Sequence, residues 1–174
     1  MVTIFEGTAI ISASSAIFVS IFAVIQLRHM EKHRNVDISM KLFEWAESDR
    51  LRKAFRWLDK EYAFRNYAEY KILEQKDIEA AEYPLEVVTF FEQVGFLVER
   101  KFVDLDVVAD RLGYFLLRDW QKLKPWIEGM RKEKRDPTYG EHFQELHAQT
   151  ERYFQKRCSN GESKFCTEIE SASD

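Results

Sequence analysis

The sequence predicts an all-α protein in which an N-terminal transmembrane helix precedes a cytoplasmic helical bundle. Gly7 to Leu27 contains no charged residue and is followed at once by basic side chains. After this segment, apolar residues recur three or four positions apart. The chain has only six glycines and three prolines among its 174 residues. This combination is typical of packed helices.

The uncharged segment is long enough to cross a bilayer as one helix. At 1.5 Å per residue, its 21 residues extend over about 31 Å, the thickness of the hydrocarbon layer. A cleaved signal peptide needs basic residues before the apolar run, whereas Glu6 is the only charged side chain there. A helix lying on the membrane surface needs a charged face, which the run lacks. A buried helix of a soluble domain remains an alternative, because the run contains four serines.

Basic residues beside the span predict its orientation. Lysine and arginine next to a membrane span tend to stay in the cytoplasm, and here they occur only after it, at Arg28, Lys32 and Arg34. We therefore expect a single-pass plasma-membrane protein with its N-terminus outside and its C-terminus in the cytoplasm. Cys158 and Cys166 fit neither a disulfide framework nor a CxxC metal site, so we expect free, reduced thiols.

One side of the predicted span is made of small residues. This candidate helix-pairing face consists of Thr8, Ser12, Ser15, Ala16, Ser20 and Ala23. Small residues let two helices approach closely in lipid, which would permit a homodimer or pairing with another membrane protein. They are also common in membrane helices generally, and no glycine pair is present. Self-association through this face is therefore a hypothesis, and the lipid bilayer is the other expected partner.

The chain divides into five segments by composition. These are a short extracytoplasmic N-terminus (1–6), the transmembrane helix (7–27), a basic juxtamembrane segment (28–36), a helical cytoplasmic domain (37–157) and a disordered acidic tail (158–174). The tail is polar and has few apolar residues to bury. The domain is long enough for one modest hydrophobic core.

The first helices of the domain follow from apolar spacing and capping residues. Between Asp37 and Leu58 the pattern predicts one long helix, or two short ones that break near Ser48, a residue type favoured at helix N-caps. An aromatic-rich helix follows over residues 62–73.

The most apolar stretch after the anchor predicts the central core helix, from Leu85 to about Lys101. Pro84 precedes it, where a first-turn proline is favoured. Gly95 lies inside this helix and costs about 1 kcal/mol relative to alanine, which indicates a close helix crossing.

Prolines and an aspartate predict the remaining boundaries. Asp104 is expected to cap the next helix, whose apolar residues continue to Pro125. Pro125 and Trp126 are expected to open a short basic helix, and the last helix is expected to begin near Pro137.

The segment from Leu85 to Phe154 resembles an uncharacterised bacterial family of single-span membrane proteins with a helical cytoplasmic domain, known only as a domain of unknown function. The similar features are Phe90, Phe91, Glu92, Gly95, the Val103-Asp104 turn, Trp120, Pro125 with Ile127, and Arg131. The resemblance implies the architecture of a membrane anchor with a helical domain, in the bacterial inner membrane. It implies no activity.

Glu92 is the candidate structural or functional carboxylate. It lies in an apolar run, on the same helix face as Val88 and Gly95. A buried carboxylate needs a partner. We expect a structural ion pair with an arginine such as Arg111 or Arg118, or a hydrogen bond from a tryptophan N–H. A functional carboxylate is the alternative.

Basic side chains near Trp120 and Trp126, together with those beside the span, are candidate contacts for an anionic surface. They are Arg28, Lys32, Arg34, Lys122, Lys124, Arg131, Lys132, Lys134 and Arg135. Ordinary solvated helix surface is the alternative, because acidic residues are interspersed and the net charge is -4. Lipid is favoured over nucleic acid because the domain is predicted to be tethered at a membrane. No nucleic-acid partner is expected.

Signatures of catalysis are absent from the sequence. It contains no glycine-rich phosphate loop, no Gly-x-Ser-x-Gly elbow and no His-Glu-x-x-His motif. His29 and His33 have the spacing of two metal ligands, but two ligands do not form a site. We therefore predict no catalytic residue, no cofactor and no metal.

These patterns together predict a membrane-anchored helical scaffold or adaptor that binds a protein partner or itself, and that is not an enzyme. A membrane-tethered sensor for anionic lipid or a small ligand is the alternative. An unrecognised enzyme is a third, less favoured interpretation.

Overall fold

The computed structural model describes residues 19–26, 30, 35–62 and 66–159, and every regular element within these ranges is helical. The chain forms two compact units, Met1–Ser39 and Met40–Asp174. The all-α prediction is confirmed for the described residues. Most of the predicted span lies outside them, and its described part, 19–26, is helical and exposed. None of the helices described is both long enough and apolar enough to cross a bilayer.

Six helices account for most of residues 35–159. They are α1 (35–46), α2 (Asp49–Lys60), α3 (Tyr67–Lys76), α4 (Ile78–Glu99), α5 (Leu105–Lys134) and α6 (Glu141–Ser159). In the second unit α4 is central, because it packs against α2, α3, α5 and α6. Its buried residues recur three or four positions apart and cover about half of its circumference, whereas Ile78, Leu85 and Phe96 on the other side are exposed.

Of the two alternatives that the sequence leaves open for residues 37–58, the structure has two helices with a break near Ser48. Ser48 is the N-cap of α2, and its hydroxyl accepts a hydrogen bond from the Leu51 N–H at 3.4 Å. The same chemistry begins the next helices, because Asn66 caps α3 and Asp77 caps α4. Each of these side chains satisfies one of the N–H groups that a helix start leaves without an internal partner.

The boundaries predicted at Pro84 and Pro125 are wrong. Pro84 lies inside α4, which begins at Ile78, and Pro125 lies inside α5, which continues to Lys134 without a separate basic helix. A proline inside a helix removes one backbone hydrogen bond and its ring clashes with the carbonyl one turn earlier, which together cost about 3 kcal/mol. Here large buried side chains flank each proline, such as Tyr83 and Trp126. Core packing on both sides therefore keeps each helix continuous.

Of the two other predicted helix starts, the position of the first is confirmed and that of the second is not. Asp104 occupies the N-cap position of α5, but its side chain makes no capping hydrogen bond. The last helix begins at Glu141 rather than near Pro137, because a turn intervenes in which the Asp136 carboxylate accepts from the Thr138 N–H at 2.9 Å.

Gly95 marks a close crossing of α4 and α6, as predicted. A Cβ atom added at Gly95 would overlap the backbone carbonyl of His142. Beside this crossing the rings of Phe91 and Phe143 stack with centroids 4.7 Å apart, and Trp120 meets Phe143 edge-on at 5.1 Å. The core is thus built from aromatic rings around a point where two backbones nearly touch.

The end of α6 corrects the predicted start of the tail. The helix includes Cys158 and Ser159, so the segment from residue 158 is not wholly irregular. Cys158 is disulfide-bonded, so the free thiol expected there is wrong. Cys166 and the rest of residues 160–174 lie outside the described part of the chain.

Candidate functional site

Glu92 anchors the start of α6 from within α4. Its carboxylate accepts hydrogen bonds from the backbone N–H groups of His142 at 3.1 Å and Phe143 at 2.9 Å. The expected arginine or tryptophan partner is therefore wrong. The first N–H groups of a helix have no internal acceptor and carry partial positive charge, so they bind a carboxylate well.

The two arginines expected beside Glu92 lie elsewhere. Arg118 contacts the carboxylates of Asp119 at 2.8 Å and Asp59 at 2.9 Å, and Arg111 lies 3.5 Å from Glu47. The partner of Glu92 lies 50 residues further along the chain. Only the close packing of α4 against α6 brings that helix terminus to the carboxylate.

Arg131 secures the same helix start from α5. Its guanidinium donates to the Tyr139 carbonyl at 2.8 Å and to the Gln144 side chain at 2.9 Å. Arg131 is half-buried, so this member of the predicted anionic-surface set is engaged inside the protein. Glu92 and Arg131 together fix the entry of α6 into the bundle.

The predicted basic surface is only partly assembled. Lys122 donates to the Leu58 carbonyl at 2.8 Å, at the C-terminal end of α2. Trp120 and Trp126 are buried, so they do not lie among basic side chains on the surface. The remaining described members are exposed: Lys124, Lys132, Lys134 and Arg135. Arg28, Lys32 and Arg34 lie outside the described residues, as do Thr8, Ser12, Ser15 and Ala16 of the helix-pairing face, whereas Ser20 and Ala23 are helical and exposed.

Histidines form no metal centre in the part of the chain that the structure describes. No group of three or more His, Cys, Asp or Glu side chains is placed there to hold a metal ion. His142 Nδ1 lies 2.9 Å from the Glu99 carboxylate, and the ring of His147 packs on Trp120 with centroids 5.5 Å apart. Burial lowers the pKa of His147.

Asp119 is a buried carboxylate that the sequence argument missed. It is fully buried on α5, where one oxygen accepts from Arg118 Nε at 2.8 Å. Its other oxygen has no hydrogen-bond partner among the described residues. Burial raises the pKa of Asp119 to about 6, and the Arg118 charge only partly opposes this rise. Asp119 lies seven residues after Leu112 and three after Leu116, on the same face of the helix. This spacing was the feature of the sequence that indicated its burial.

An open groove between α1, α2 and α5 is the strongest candidate for a binding site. We call it the aromatic-arginine groove, and its volume is about 330 Å³. Its lining residues are Phe43, Ala46, Glu47, Arg52, Phe55, Arg56, Arg111, Leu112 and Phe115. Three aromatic rings and a leucine thus form an apolar floor, and three arginines stand along its rim.

The aromatic floor of the groove is partly open to solvent. Phe115 is 41% exposed, and its ring lies 5.9 Å from that of Phe55. The Arg111 guanidinium lies 5.8 Å from the Phe43 ring centre, and that of Arg118 lies 5.3 Å from the Phe115 ring centre. Guanidinium groups held over aromatic rings keep their hydrogen-bond donors available at the ring edge.

Two of the rim arginines, Arg52 and Arg111, are paired only with exposed carboxylates. Arg111 lies 3.5 Å from Glu47, with side chains 65% and 70% exposed, and Arg52 pairs with the even more exposed Asp49. Exposed ion pairs contribute little to stability and exchange partners readily. The rim is therefore able to exchange these contacts for the carboxylates of a ligand.

A larger polar groove, of about 620 Å³, lies between α2 and the start of α4. Its charges largely neutralise one another, because Lys53 is hydrogen-bonded to Glu79, which also accepts from the Tyr83 hydroxyl at 2.9 Å. The smaller groove is therefore the stronger candidate, because its three arginines outnumber its one acidic residue and its floor is apolar.

The described fold and this groove define a class: an all-α helical-bundle domain with an exposed aromatic and arginine-rich surface. A family of proteins defined by a domain of unknown function, DUF4760, matches residues 10–150. The chain belongs to this family, which confirms the expectation of an uncharacterised family. Neither a curated protein nor a solved structure matches the chain.

Proposed function

We propose that the protein is a membrane-anchored helical adaptor, not an enzyme, whose helical domain binds a protein partner at the aromatic-arginine groove. The observation that supports this most directly is the partly exposed floor of Phe43, Phe55 and Phe115 beneath arginine side chains. Aromatic residues and arginine are the types enriched where protein interfaces contribute most binding energy. A partner segment with an apolar side chain and flanking carboxylates complements this surface.

The anchor in this proposal is the uncharged segment 7–27. Its length and the basic residues Arg28, Lys32 and Arg34 after it support one span of a bacterial inner membrane, with the helical domain in the cytoplasm. The small-residue face of the segment is a second proposed contact, through which two copies, or this chain and another membrane protein, would pair.

The alternative role is a sensor of anionic lipid. Four exposed basic side chains near the end of α5 favour it: Lys124, Lys132, Lys134 and Arg135. Such a cluster beside a membrane attracts anionic headgroups by about 1 kcal/mol per residue. The adaptor is preferred because the two tryptophans near this cluster are buried and offer no interfacial anchor.

Alkaline carbonate extraction of membranes tests the anchor. The full chain should remain in the membrane pellet, and protease added outside spheroplasts should remove only an N-terminal tag. Replacing Arg28, Lys32 and Arg34 with glutamate together should weaken or reverse this orientation. Release of the unaltered chain by carbonate would contradict the anchor.

Site-specific photo-crosslinking in cells tests the adaptor. A photoreactive amino acid at Phe115 of the full chain should trap a defined protein, whereas the same group at exposed Lys124 should not. Binding is then measured with that protein in purified form. Arg111→Glu should weaken it at least tenfold, about 1.4 kcal/mol, and Lys124→Glu should leave it unchanged. Equal effects of both changes would refute the groove as the binding surface.

Vesicle binding distinguishes the lipid sensor. The full chain, solubilised and added to vesicles of phosphatidylcholine with or without phosphatidylserine, should show no preference if the protein is an adaptor. A preference for phosphatidylserine that disappears when Lys132 and Lys134 are changed to glutamate would favour the sensor instead.

A further inference from the structure

One side of α5 and its N-cap is turned away from the core of the bundle. We call it the outer face of α5, and it consists of Asp104, Val107, Arg111, Tyr114 and Arg118. These positions are spaced alternately three and four residues apart, so they fall within an arc of about 80° around the helix. The buried leucines of α5 lie on the opposite side: Leu112, Leu116 and Leu123. The alternating spacing is that of a seam along which two helices pair.

Two largely apolar side chains project from the outer face into solvent. Val107 is 39% exposed and Tyr114 is 52% exposed. They are seven residues apart, which is about 10.5 Å along the helix. The ring of Tyr114 meets the neighbouring Phe115 ring edge-on, with centroids 5.7 Å apart. The face therefore presents two apolar projections one heptad apart, with the space between them at Arg111.

The two ends of the outer face carry opposite charges with unused hydrogen-bonding capacity. Asp104 is exposed, and its carboxylate neither caps α5 nor pairs with a cation among the described residues. At the other end, Arg118 donates from Nε to Asp119 and from Nη1 to Asp59. Its Nη2 has no acceptor in the part of the chain that the structure describes. One available acceptor and one available donor thus lie about 21 Å apart along the helix axis.

An antiparallel pair of these faces is complementary to itself. With a two-fold axis midway between Asp110 and Arg111, Val107 of one copy lies opposite Tyr114 of the second copy. The same axis brings Asp104 to within one residue of Arg118 of the second copy, and Arg111 opposite Asp110. Each contact occurs twice, so the arrangement closes as a dimer and leaves no surface for a third copy.

We propose that two copies of this chain pair through the outer faces of α5, with Val107 packed on Tyr114 and Asp104 bound to Arg118 of the second copy. The helices meet over about four turns, so the interface belongs to the small, transient class below about 1,200 Å². The pairing goes beyond the proposed adaptor, because it needs no second kind of protein. Arg111 is the one residue that the outer face shares with the lining of the aromatic-arginine groove.

Photo-crosslinking between two distinguishable copies tests the pairing. Full-length chain with p-benzoylphenylalanine in place of Tyr114 is purified in detergent and mixed with an equal amount of isotope-labelled full-length chain. The expected products join position 114 of one copy to residues 103–111 of the other, as located by mass spectrometry. No other protein is present, so the result does not depend on the proposed adaptor. Crosslinks between copies that lie elsewhere, or none at all, would overturn the pairing.

Two pairs of variants, each carried in both copies, test the contacts. Asp104→Lys should lower the crosslink yield at least fivefold, because it places a cation beside Arg118 of the second copy. Asp106→Lys is its control and should leave the yield unchanged, since this exposed aspartate lies in the same turn but about 160° away around the helix. Val107→Glu should also lower the yield at least fivefold, whereas Ile72→Glu, at an exposed aliphatic residue of α3, should not. Equal yields within either pair would refute the proposed interface.

Discussion

Replacing Glu92 with glutamine is the most direct perturbation of the junction between α4 and α6. The substitution keeps the size of the side chain but leaves one acceptor oxygen where the carboxylate offers two. The Glu92 carboxylate now accepts from two backbone N–H groups, those of His142 and Phe143. In the variant one of these donors faces an NH₂ group instead of an oxygen.

The expected loss follows from the bonds removed. A backbone donor left without an acceptor in a partly buried site costs about 1–3 kcal/mol. Loss of the negative charge at the helix start adds about 0.5 kcal/mol. We therefore expect Glu92→Gln to lower the free energy of unfolding by about 1.5–3.5 kcal/mol. The matched control is Glu99→Gln on the same helix, because Glu99 is exposed and contacts the His142 side chain instead of the backbone.

Denaturant unfolding of the full chain, followed by tryptophan fluorescence, measures the free energy. Hydrogen exchange at the amides of His142 and Phe143 locates the effect, and it should accelerate in Glu92→Gln but not in Glu99→Gln. A loss below about 0.5 kcal/mol, or one equal to that of the control, would refute the capping role. Normal stability accompanied by loss of partner binding would instead identify Glu92 as a functional carboxylate.

Three further changes test the packing and the electrostatics. Gly95→Ala should destabilise the fold by about 1–3 kcal/mol in chemical denaturation, because the added methyl group overlaps the His142 carbonyl; a neutral effect would contradict the close crossing. Asp119→Asn should alter the pH dependence of stability. The pKa of Asp119 lies at about 6 in the folded protein, above its ordinary value of 3.8, so the folded state binds this proton more tightly. The resulting stabilisation is complete below pH 4 and disappears as the pH rises to about 6, a total of about 3 kcal/mol. Unfolding between pH 3.5 and 7.5 should show this decline in the original chain and a flatter profile in the variant, and identical profiles would rule it out. Ser48→Ala should cost about 1 kcal/mol through loss of the α2 cap, and thermal unfolding that does not change would show that the 3.4 Å bond to Leu51 contributes nothing.

The sequence predicted those features of the fold that depend on residues close together in the chain. The break near Ser48 was one of two alternatives that the sequence offered, because serine is favoured at helix N-caps, where its hydroxyl accepts from the N–H three residues further on. The crossing at Gly95 was predicted because a glycine inside an apolar helix is unfavourable unless something lies close to it. The boundaries predicted from Pro84 and Pro125 were wrong because tertiary packing opposed the local preference. The local effect of a proline is to interrupt a helix, but burial of side chains on both sides outweighed it in α4 and α5.

The candidate site could be predicted only in part. The need of Glu92 for a partner followed from its apolar surroundings, whereas the identity of that partner did not. Helix starts have no sequence motif that shows which distant carboxylate they will meet. The groove was missed altogether, since Phe43, Phe55 and Phe115 lie on three separate helices and each resembles an ordinary core residue.

The sequence by itself determined that the described chain is helical and where several of its helices begin, because apolar periodicity and caps act over one or two turns. Its uncharged N-terminal segment also carries the proposal of a membrane anchor. Only the tertiary structure decided that Glu92 holds the start of α6, that Asp119 is buried, and that three phenylalanines meet under an arginine rim. These features depend on contacts between residues far apart in the chain, and such contacts are set by how whole helices pack.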